Sequence, residues 1–242
     1  MKVIAVIPAF DEAATIREVA SRALAQLADV IVVDDGSTDG TAAALGDLPV
    51  MLISNPENLG KGASLWRGFA VALAHGADAV VTLDGDAQHR PEDIPRLIAA
   101  AGEHPGRMII GARLWDKGKV PPLRYFGNRF ANFWVAWAAG CSVSDSQSGF
   151  RLYPASLLKK VRVAHGPTAR FAFESEILIE AGRAGVRSVA VPIAAIYPPN
   201  ARASHYRSAV DTARIVRMIA WKLLTRGFDL PALVRSLSPA KT

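Results

Sequence analysis

The sequence predicts an α/β protein built on a doubly wound, mostly parallel sheet with a basic helical extension at its C-terminus. Short β-branched or apolar runs recur through the first half of the chain with helical patterns between most of them, the alternation that calls for parallel strands joined by crossover helices. Two of those runs stop abruptly in carboxylates, Asp34-Asp35 and Asp84-Gly85-Asp86. Open sheets bind their ligands at the carboxyl rim, so both runs aim chemistry at one place.

The elements follow in order. Val3 to Ile7 is the first strand, cut by Pro8 and followed by Asp11-Glu12, too short and wrongly flanked for a secretory signal. Ile16, Val19, Ala20, Ala23 and Leu27 then fall on one helical face. Val30 to Val33 and Val50 to Ile53 are the next strands, and a helix spans Ala63 to His75. Ala79 to Leu83 is the fourth strand; Pro91 or Pro95 then opens a helix with Ile94, Leu97, Ile98 and Ala101 inward. Met108 to Gly111 is the fifth strand.

Beyond Arg113 the pattern loosens. A Lys/Gly/Pro stretch from Asp116 to Pro122 precedes a helix from Arg124 to Ala139, and a second helix covers Phe173 to Ala184. Val186 to Ile193 reads as a strand whose Pro192 marks an edge or an end. In the tail, Ser208 to Thr225 is helical with Val216, Ile219, Ala220, Leu223 and Leu224 on one side, and Arg207, Arg214, Arg217 and Arg226 add charge. The expected division is 1–206 for the main domain, split into halves 1–113 and 114–206, and 207–242 for the amphipathic helix and tail.

Half of the 242 residues are apolar, enough for a substantial core. The net charge of +6 conceals an asymmetry: 7 Lys and Arg against 15 Asp and Glu through Gly106, then 21 against 7. An acidic half suits a metal, and a basic half suits phosphates or an anionic membrane. Nucleic acid is not expected, for want of zinc-finger spacing or an RNA-binding aromatic motif. The single cysteine, Cys141, excludes an internal disulfide framework, and the five histidines are scattered; both argue for a reducing cytoplasm and against zinc. The apolar stretch from Phe133 to Val143 falls well short of the roughly 20 residues a spanning helix needs.

Three segments point to a bound nucleotide. Asp84 and Asp86 straddle a glycine, so in an extended chain their side chains share one side, and Gln88 continues the alternation. Hard oxygen ligands of this kind suit Mg²⁺ or Mn²⁺. Asp35-Gly36-Ser37-Thr38-Asp39-Gly40 is a glycine-rich turn whose acids suit a base or ribose; as a calcium loop it fails, because the twelfth position is Gly46. Asn58-Leu59-Gly60-Lys61-Gly62 leads into a helix where amides and a lysine could approach a phosphate, but it lacks the spacing of a P-loop and by itself reads first as a plain helix-entry turn.

Together, Ile7-Pro8-Ala9-Phe10-Asp11-Glu12, the segment from Val33 to Thr41, Asn58 to Gly62, Leu83 to His89 and Gly111-Ala112-Arg113 resemble family 2 glycosyltransferases, in the family's order. Asp145-Ser146-Gln147-Ser148-Gly149-Phe150-Arg151 and Phe173-Glu174-Ser175-Glu176 extend the resemblance, which is strongest to the branch of dolichyl-phosphate mannose synthase and the bacterial polyprenyl-phosphate glycosyltransferases. It implies a Rossmann-like GT-A fold and inverting transfer of a sugar from a UDP- or GDP-sugar with Mg²⁺ or Mn²⁺. By motif, Pro8, Phe10, Glu12, Asp34 and Asp35 hold the nucleoside, with Lys61 and Arg113 completing the donor set. Asp84 orients the donor, and Asp86 and Gln88 bind the metal.

The implied acceptor is a polyprenyl phosphate. Such a group is already anionic and needs positioning rather than a base, for which Arg124, Arg129 and Arg151 are candidates, with Asn128 beside them. A sugar or lipid hydroxyl would need a base instead, and Asp145 is the candidate. Asn128 and Gln147 stand where those synthases tend to have serine and threonine, and Ser204-His205 replaces a usual Ser-Lys. Phe130, Phe133, Trp134 and Trp137, with the basic tail, suit a membrane interface, a core or a dimer contact. The expected location is cytoplasmic with peripheral contact on the inner membrane face. A non-catalytic scaffold of the same fold and a phosphatase of the Asp-x-Asp type are the remoter readings.

Overall fold

The computed structural model describes residues 1–113, 122–161, 163, 173–194, 196, 208–225 and 227–237, with the backbone alone described at 122–126 and 208–212. Seven strands form one sheet: β1 (Val3–Ala9), β2 (Val30–Asp34), β3 (Met51–Ser54), β4 (Ala79–Thr82), β5 (Met108–Ala112), β6 (Arg151–Pro154) and β7 (Ser188–Pro192). Their order is β3-β2-β1-β4-β6-β5-β7. Every pairing is parallel except those of β6, which runs antiparallel between β4 and β5. β7 is an edge strand, as Pro192 predicts.

The helices are α1 (Ile16–Leu24), α2 (Thr41–Ala44), α3 (Lys61–Ala74), α4 (Ile94–Glu103), α5 (Pro122–Ala139), α6 (Ala155–Lys160), α7 (Phe173–Arg183), α8 (Ser208–Leu224) and α9 (Leu230–Leu237). Alternation along the buried strands divides the core between the two faces of the sheet. Ile4, Val6, Ile31 and Val33 point to the face covered by α3, α5, α7 and α8, where Phe69, Tyr153 and Phe173 pack together. Val3, Ala5, Ile7, Val30 and Val32 point to the opposite face, under α1 and α4.

Pro8 lies inside central β1 without breaking the sheet, because the β1–β4 register ends at the Val6–Thr82 pair. Its missing N–H therefore interrupts no ladder.

Several elements differ from expectation. Strand β6 and helices α6 and α9 are not among the expected elements: they are four to eight residues long, and only α9 carries a clear helical period. Helix α1 closes at Ala25, so Leu27 lies past its end. Pro91 opens a short 3₁₀ turn, and α4 begins at Ile94. In α8 the expected single apolar stripe splits: Ile215, Ile219 and Leu223 are buried, whereas Val216, Ala220 and Leu224 face outward. Positions 215, 219 and 223 form the inward row, and their successors are rotated about 100° away from it.

Candidate active site

The loops after β1 and β2 are stitched into one rim. Ser37 Oγ accepts from the Asp11 amide at 2.9 Å, and Asp11 Oδ1 accepts from the Thr38 amide at 2.9 Å. Thr41 Oγ1 accepts from the Glu12 amide at 2.8 Å, and Asp39 Oδ2 from the Ala13 amide at 3.0 Å. Glu12 Oε2 accepts from Thr15 Oγ1. Phe10 sits half-buried at this rim, while Pro8 is buried within β1.

Of the paired acids ending β2, Asp34 is buried and accepts from the Ser37 amide at 3.1 Å. Asp35 faces the next loop. Its Oδ1 accepts from Asn55 Nδ2 at 2.7 Å and the Leu59 amide at 3.0 Å, and its Oδ2 from the Gly60 amide at 2.8 Å. The amides of 59 and 60, expected to face a phosphate, are thus given to this carboxylate. Asp35 orders the entry to α3, and a ligand meets the loop that it shapes.

That loop delivers Lys61. Its Nζ lies 2.6 Å from Asp84 Oδ1 and 2.6 Å from Glu174 Oε1, the first at the end of β4 and the second in the opening turn of α7. A glycine lets α3 and α7 approach: a Cβ on Gly62 would sit 3.3 Å from the Phe173 side chain. Burial opposes ionisation of Asp84, but the Lys61 ammonium outweighs it and holds the carboxyl at about 2. For Lys61, burial is likewise overridden by Asp84 and Glu174, which raise it above its ordinary range.

Beyond Asp84 the chain turns at Gly85-Asp86 rather than running on extended, and Ala87 takes a left-handed φ of 60°. Asp86 and Gln88 are therefore brought together by the turn and not by strand alternation. The Gln88 amide donates to Asp86 Oδ1 at 3.0 Å. Burial, then the charge of Asp84, pushes the Asp86 carboxyl up to about 6. His89 is buried behind the turn, with its Nδ1 3.4 Å from the Asp84 amide, and burial lowers it to about 4, so it is neutral. A carboxylate raised in this way is short of positive charge, and Gln88, whose side chain is a neutral oxygen ligand type, follows it on the same turn. Such a set fits a hard divalent cation that takes its remaining ligands from phosphates and water. No cluster of three or more acidic, histidine or cysteine ligands exists among the described residues.

The segment before β6 forms the facing wall. Thr82 Oγ1 donates to the Gly149 carbonyl at 2.7 Å. A Cβ on Gly149 would lie 2.7 Å from Asp84 Oδ2 and 3.0 Å from Lys61 Nζ, so this backbone presses directly on the pair. Asp145 is fully buried: Oδ2 accepts from the Arg113 amide and Nε at 3.2 and 3.3 Å, and Oδ1 from the Gln147 amide at 3.0 Å. Asn132 on α5 brackets it, donating to the Ser144 carbonyl and accepting from the Ser146 amide, each at 2.8 Å.

Arg151, expected at an acceptor phosphate, is fully buried, and its guanidinium donates to the Glu174 and Ser146 carbonyls at 2.7 and 2.9 Å. It joins the Asp145 wall to α7. Asn128 is half-buried one turn before Asn132, Arg129 is exposed on the same helix, and the side chain of Arg124 lies outside the described residues, as do Ser204, His205, Arg207, Arg226 and most of the 116–122 stretch. Glu174 and Asn132 have roles that motif reading did not assign. The signals were available: a Glu174/Glu176 pair inside the basic half, and one asparagine inside an aromatic helix.

The rim thus places a lysine-clamped carboxylate, a second carboxylate that holds its proton up to about 6 and an arginine–aspartate pair side by side. Groups of this kind can bind a phosphorylated group and balance charge that develops on it.

Comparison with known proteins agrees. The family model for glycosyl transferase family 2 matches residues 4–165. An undecaprenyl-phosphate mannosyltransferase of Micrococcus luteus is 27% identical over 242 residues, covering 96% of this chain and 98% of that one. A UDP-N-acetylglucosamine–dolichyl-phosphate N-acetylglucosaminyltransferase of Methanococcus voltae is 30% identical over 213 residues, covering 79% and 84%. Among solved structures, mannosyl-3-phosphoglycerate synthase from Rubrobacter xylanophilus shares the fold with a TM-score of 0.71 at 20% identity, over 100% of this chain and 78% of that one. Its sheet, its rim and its sequence together make this chain a glycosyltransferase that belongs to glycosyl transferase family 2.

Proposed function

We propose that the enzyme transfers a sugar, with inversion, from a UDP- or GDP-sugar to a polyprenyl phosphate held at a membrane. The relatives named for undecaprenyl-phosphate and dolichyl-phosphate acceptors support the acceptor class. Neighbouring structures of glucosyl-3-phosphoglycerate synthase from Mycobacterium tuberculosis contain UDP with Mn²⁺ or Mg²⁺, which supports metal use within the fold.

The stitched β1 and β2 loops, with Phe10, Glu12 and Asp34, would cradle the nucleoside. Asp86 and Gln88 would hold the divalent cation, which when bound supplies positive charge to the diphosphate. Asp84, fixed by Lys61, orients the sugar. One phosphate oxygen of the acceptor attacks the anomeric carbon as the bond to the diphosphate oxygen breaks. No proton has to leave the nucleophile, so positioning and charge balance suffice.

The observation that carries the choice of acceptor is the state of Asp145. Both of its oxygens are occupied, by Arg113 and by the Gln147 amide. That arrangement suits holding Arg113 toward an anion and leaves little capacity to take a proton from a hydroxyl.

The test is incubation with Mn²⁺ or Mg²⁺, a polyprenyl phosphate and labelled UDP- and GDP-sugars, followed by organic extraction. Metal-dependent label that mild acid releases is expected, and the productive donor identifies the nucleotide. Donor turnover with label entering only non-phosphate acceptors would overturn the reading.

A further inference from the structure

We propose that Thr82 and His89 are positioning residues that hold the sheet open by one rung between β4 and β6, and that this opening sets the direction of the Asp84 carboxylate. The two strands run antiparallel, with Val81 opposite Leu152 and Thr82 opposite Arg151. On the β5 side, the Phe150 carbonyl accepts from the Gly111 amide at 2.8 Å. Alternation along the chain therefore turns the backbone groups of Arg151 and Gly149 toward β4, and the next rung would join Gly149 to Asp84. That rung is not made. The Gly149 carbonyl accepts from Thr82 Oγ1 at 2.7 Å, and the Asp84 amide donates to His89 Nδ1 at 3.4 Å. Two side chains thus take the two ends of one missing backbone bond.

Both side chains are committed to this arrangement. Thr82 and His89 are each 2% exposed, so bulk water does not compete for either bond. The imidazole packs obliquely on Phe150, with ring centroids 5.5 Å apart, and its Nε2 is buried without a partner among the described residues. Accepting through Nδ1 leaves the proton of the neutral ring on Nε2. A buried donor without an acceptor is unfavourable, and a phenylalanine would pack against Phe150 without that penalty. The one hydrogen bond that a histidine adds here is to the Asp84 amide. The turn delivers the ring: Ala87 has a φ of 60°, a region that side-chain-bearing residues seldom occupy, and the reversal there folds residue 89 back onto residue 84.

The opening has a chemical consequence. The Asp84 carboxylate lies over Gly149, where a Cβ would stand 2.7 and 2.9 Å from its two oxygens, and Lys61 Nζ reaches the same spot at 3.0 Å. A closed rung would carry the end of β4 against β6 and draw Asp84 off the ammonium that it holds at 2.6 Å. The inference deepens the proposed function and rests on it only for the group that Asp84 orients, the donor sugar.

Nitrogen-15 spectra of histidine-labelled protein at neutral pH should show the His89 ring, identified by its loss in His89→Asn, protonated at Nε2 alone. Protonation at Nδ1 overturns the proposal, since that nitrogen could not then accept from the Asp84 amide. Turnover, followed as nucleotide release from the productive UDP- or GDP-sugar with Mn²⁺, supplies the functional test. His89→Phe keeps the contact with Phe150 and removes the acceptor. Its kcat should fall about tenfold or more, the scale of a misdirected contact, while its affinity for UDP or GDP and its melting temperature stay near native. His89→Asn keeps an acceptor close to the place of Nδ1 and gives up the ring. It should melt lower than His89→Phe and yet turn over faster. Thr82→Val should lose turnover as His89→Phe does, and Thr82→Ser should retain it.

A merely structural role predicts the opposite order, with turnover following melting temperature across the two His89 variants, and that result overturns the proposal. So does an equal loss from His89→Phe in an Asp84→Asn background, which would show that the ring does not act through Asp84. Nucleotide release in the expected order of variants, with no sugar entering polyprenyl phosphate, would refute the proposed acceptor and leave this assignment standing. Transfer to polyprenyl phosphate that stays native in His89→Phe and Thr82→Val would do the reverse.

Discussion

Glu174 and Asp84 close on the same ammonium: each carboxylate holds Lys61 Nζ at 2.6 Å, one from α7 and the other from the end of β4. Without the lysine, two acids would face each other in a largely buried site. Lys61→Met should therefore cost about 1–3 kcal/mol in denaturant unfolding, discounted from the usual buried-pair loss because the group is partly exposed. Lys61→Met/Glu174→Gln should recover part of that loss, since the second change removes the repulsion. Strict additivity of the two substitutions would refute the shared clamp.

Asp86 predicts a pH dependence of opposite sense to Asp84. Its carboxyl is raised to about 6, first by burial and then by Asp84. The folded protein therefore holds that proton more tightly than the unfolded chain. The contribution to stability is full below the ordinary carboxylate range and is lost as pH rises through about 6. In chelator, Asp86→Asn should raise the melting temperature near neutral pH and have little effect near about pH 4. Mn²⁺ binding, followed calorimetrically, should weaken as pH falls below about 6, because the proton competes for the ligand. Asp84, held at about 2, contributes stability that is present above its unfolded value and lost only in strong acid.

Gly149→Ala tests the facing wall. Its Cβ would fall 2.7 and 2.9 Å from the Asp84 oxygens and 3.0 Å from Lys61 Nζ, forcing the clamp to shift. We expect kcat/KM to fall by about tenfold or more, a misplacement effect, with circular dichroism unchanged. Native kcat/KM would show that the Asp84–Lys61 geometry is not used in turnover.

Asp145→Asn separates positioning from base catalysis. The amide oxygen can still accept from Arg113, so transfer to a polyprenyl phosphate should persist with less than about a hundredfold loss. Removal of a general base typically costs roughly 10²–10⁴-fold. Abolished transfer, with donor binding intact in a calorimetric titration, would return Asp145 to the role of base.

The rim of the first half was legible in sequence because β1, β2 and β4 are buried on both faces and so read as unbroken apolar runs, each ending in its motif, and because the glycine-rich turn after the exposed β3 leads to Lys61. Asp84, Asp86 and Lys61 could be marked on that ground. What motifs could not give was direction. Arg151 begins β6, and its register opposite Thr82 turns the guanidinium under the sheet rim, where it serves the Glu174 and Ser146 carbonyls. Asp35 looked like a ligand-binding acid, yet its hydrogen bonds run to Asn55 and the 59–60 amides, partners fixed by tertiary approach. Glu174 and Asn132 escaped for the same reason, since their meaning lies in residues distant along the chain.

The reversal of β6 also sets an order of assembly. Its pairing with β4, and the bond from Thr82 to Gly149 across 67 residues, require the intervening chain to return and wedge between β4 and β5. Contacts that close so long a loop form late, whereas β1 to β4 can pair as the chain emerges. The nascent chain can therefore join the loops after β1 and β2 well before the wall at Asp145 and Gly149 is in place.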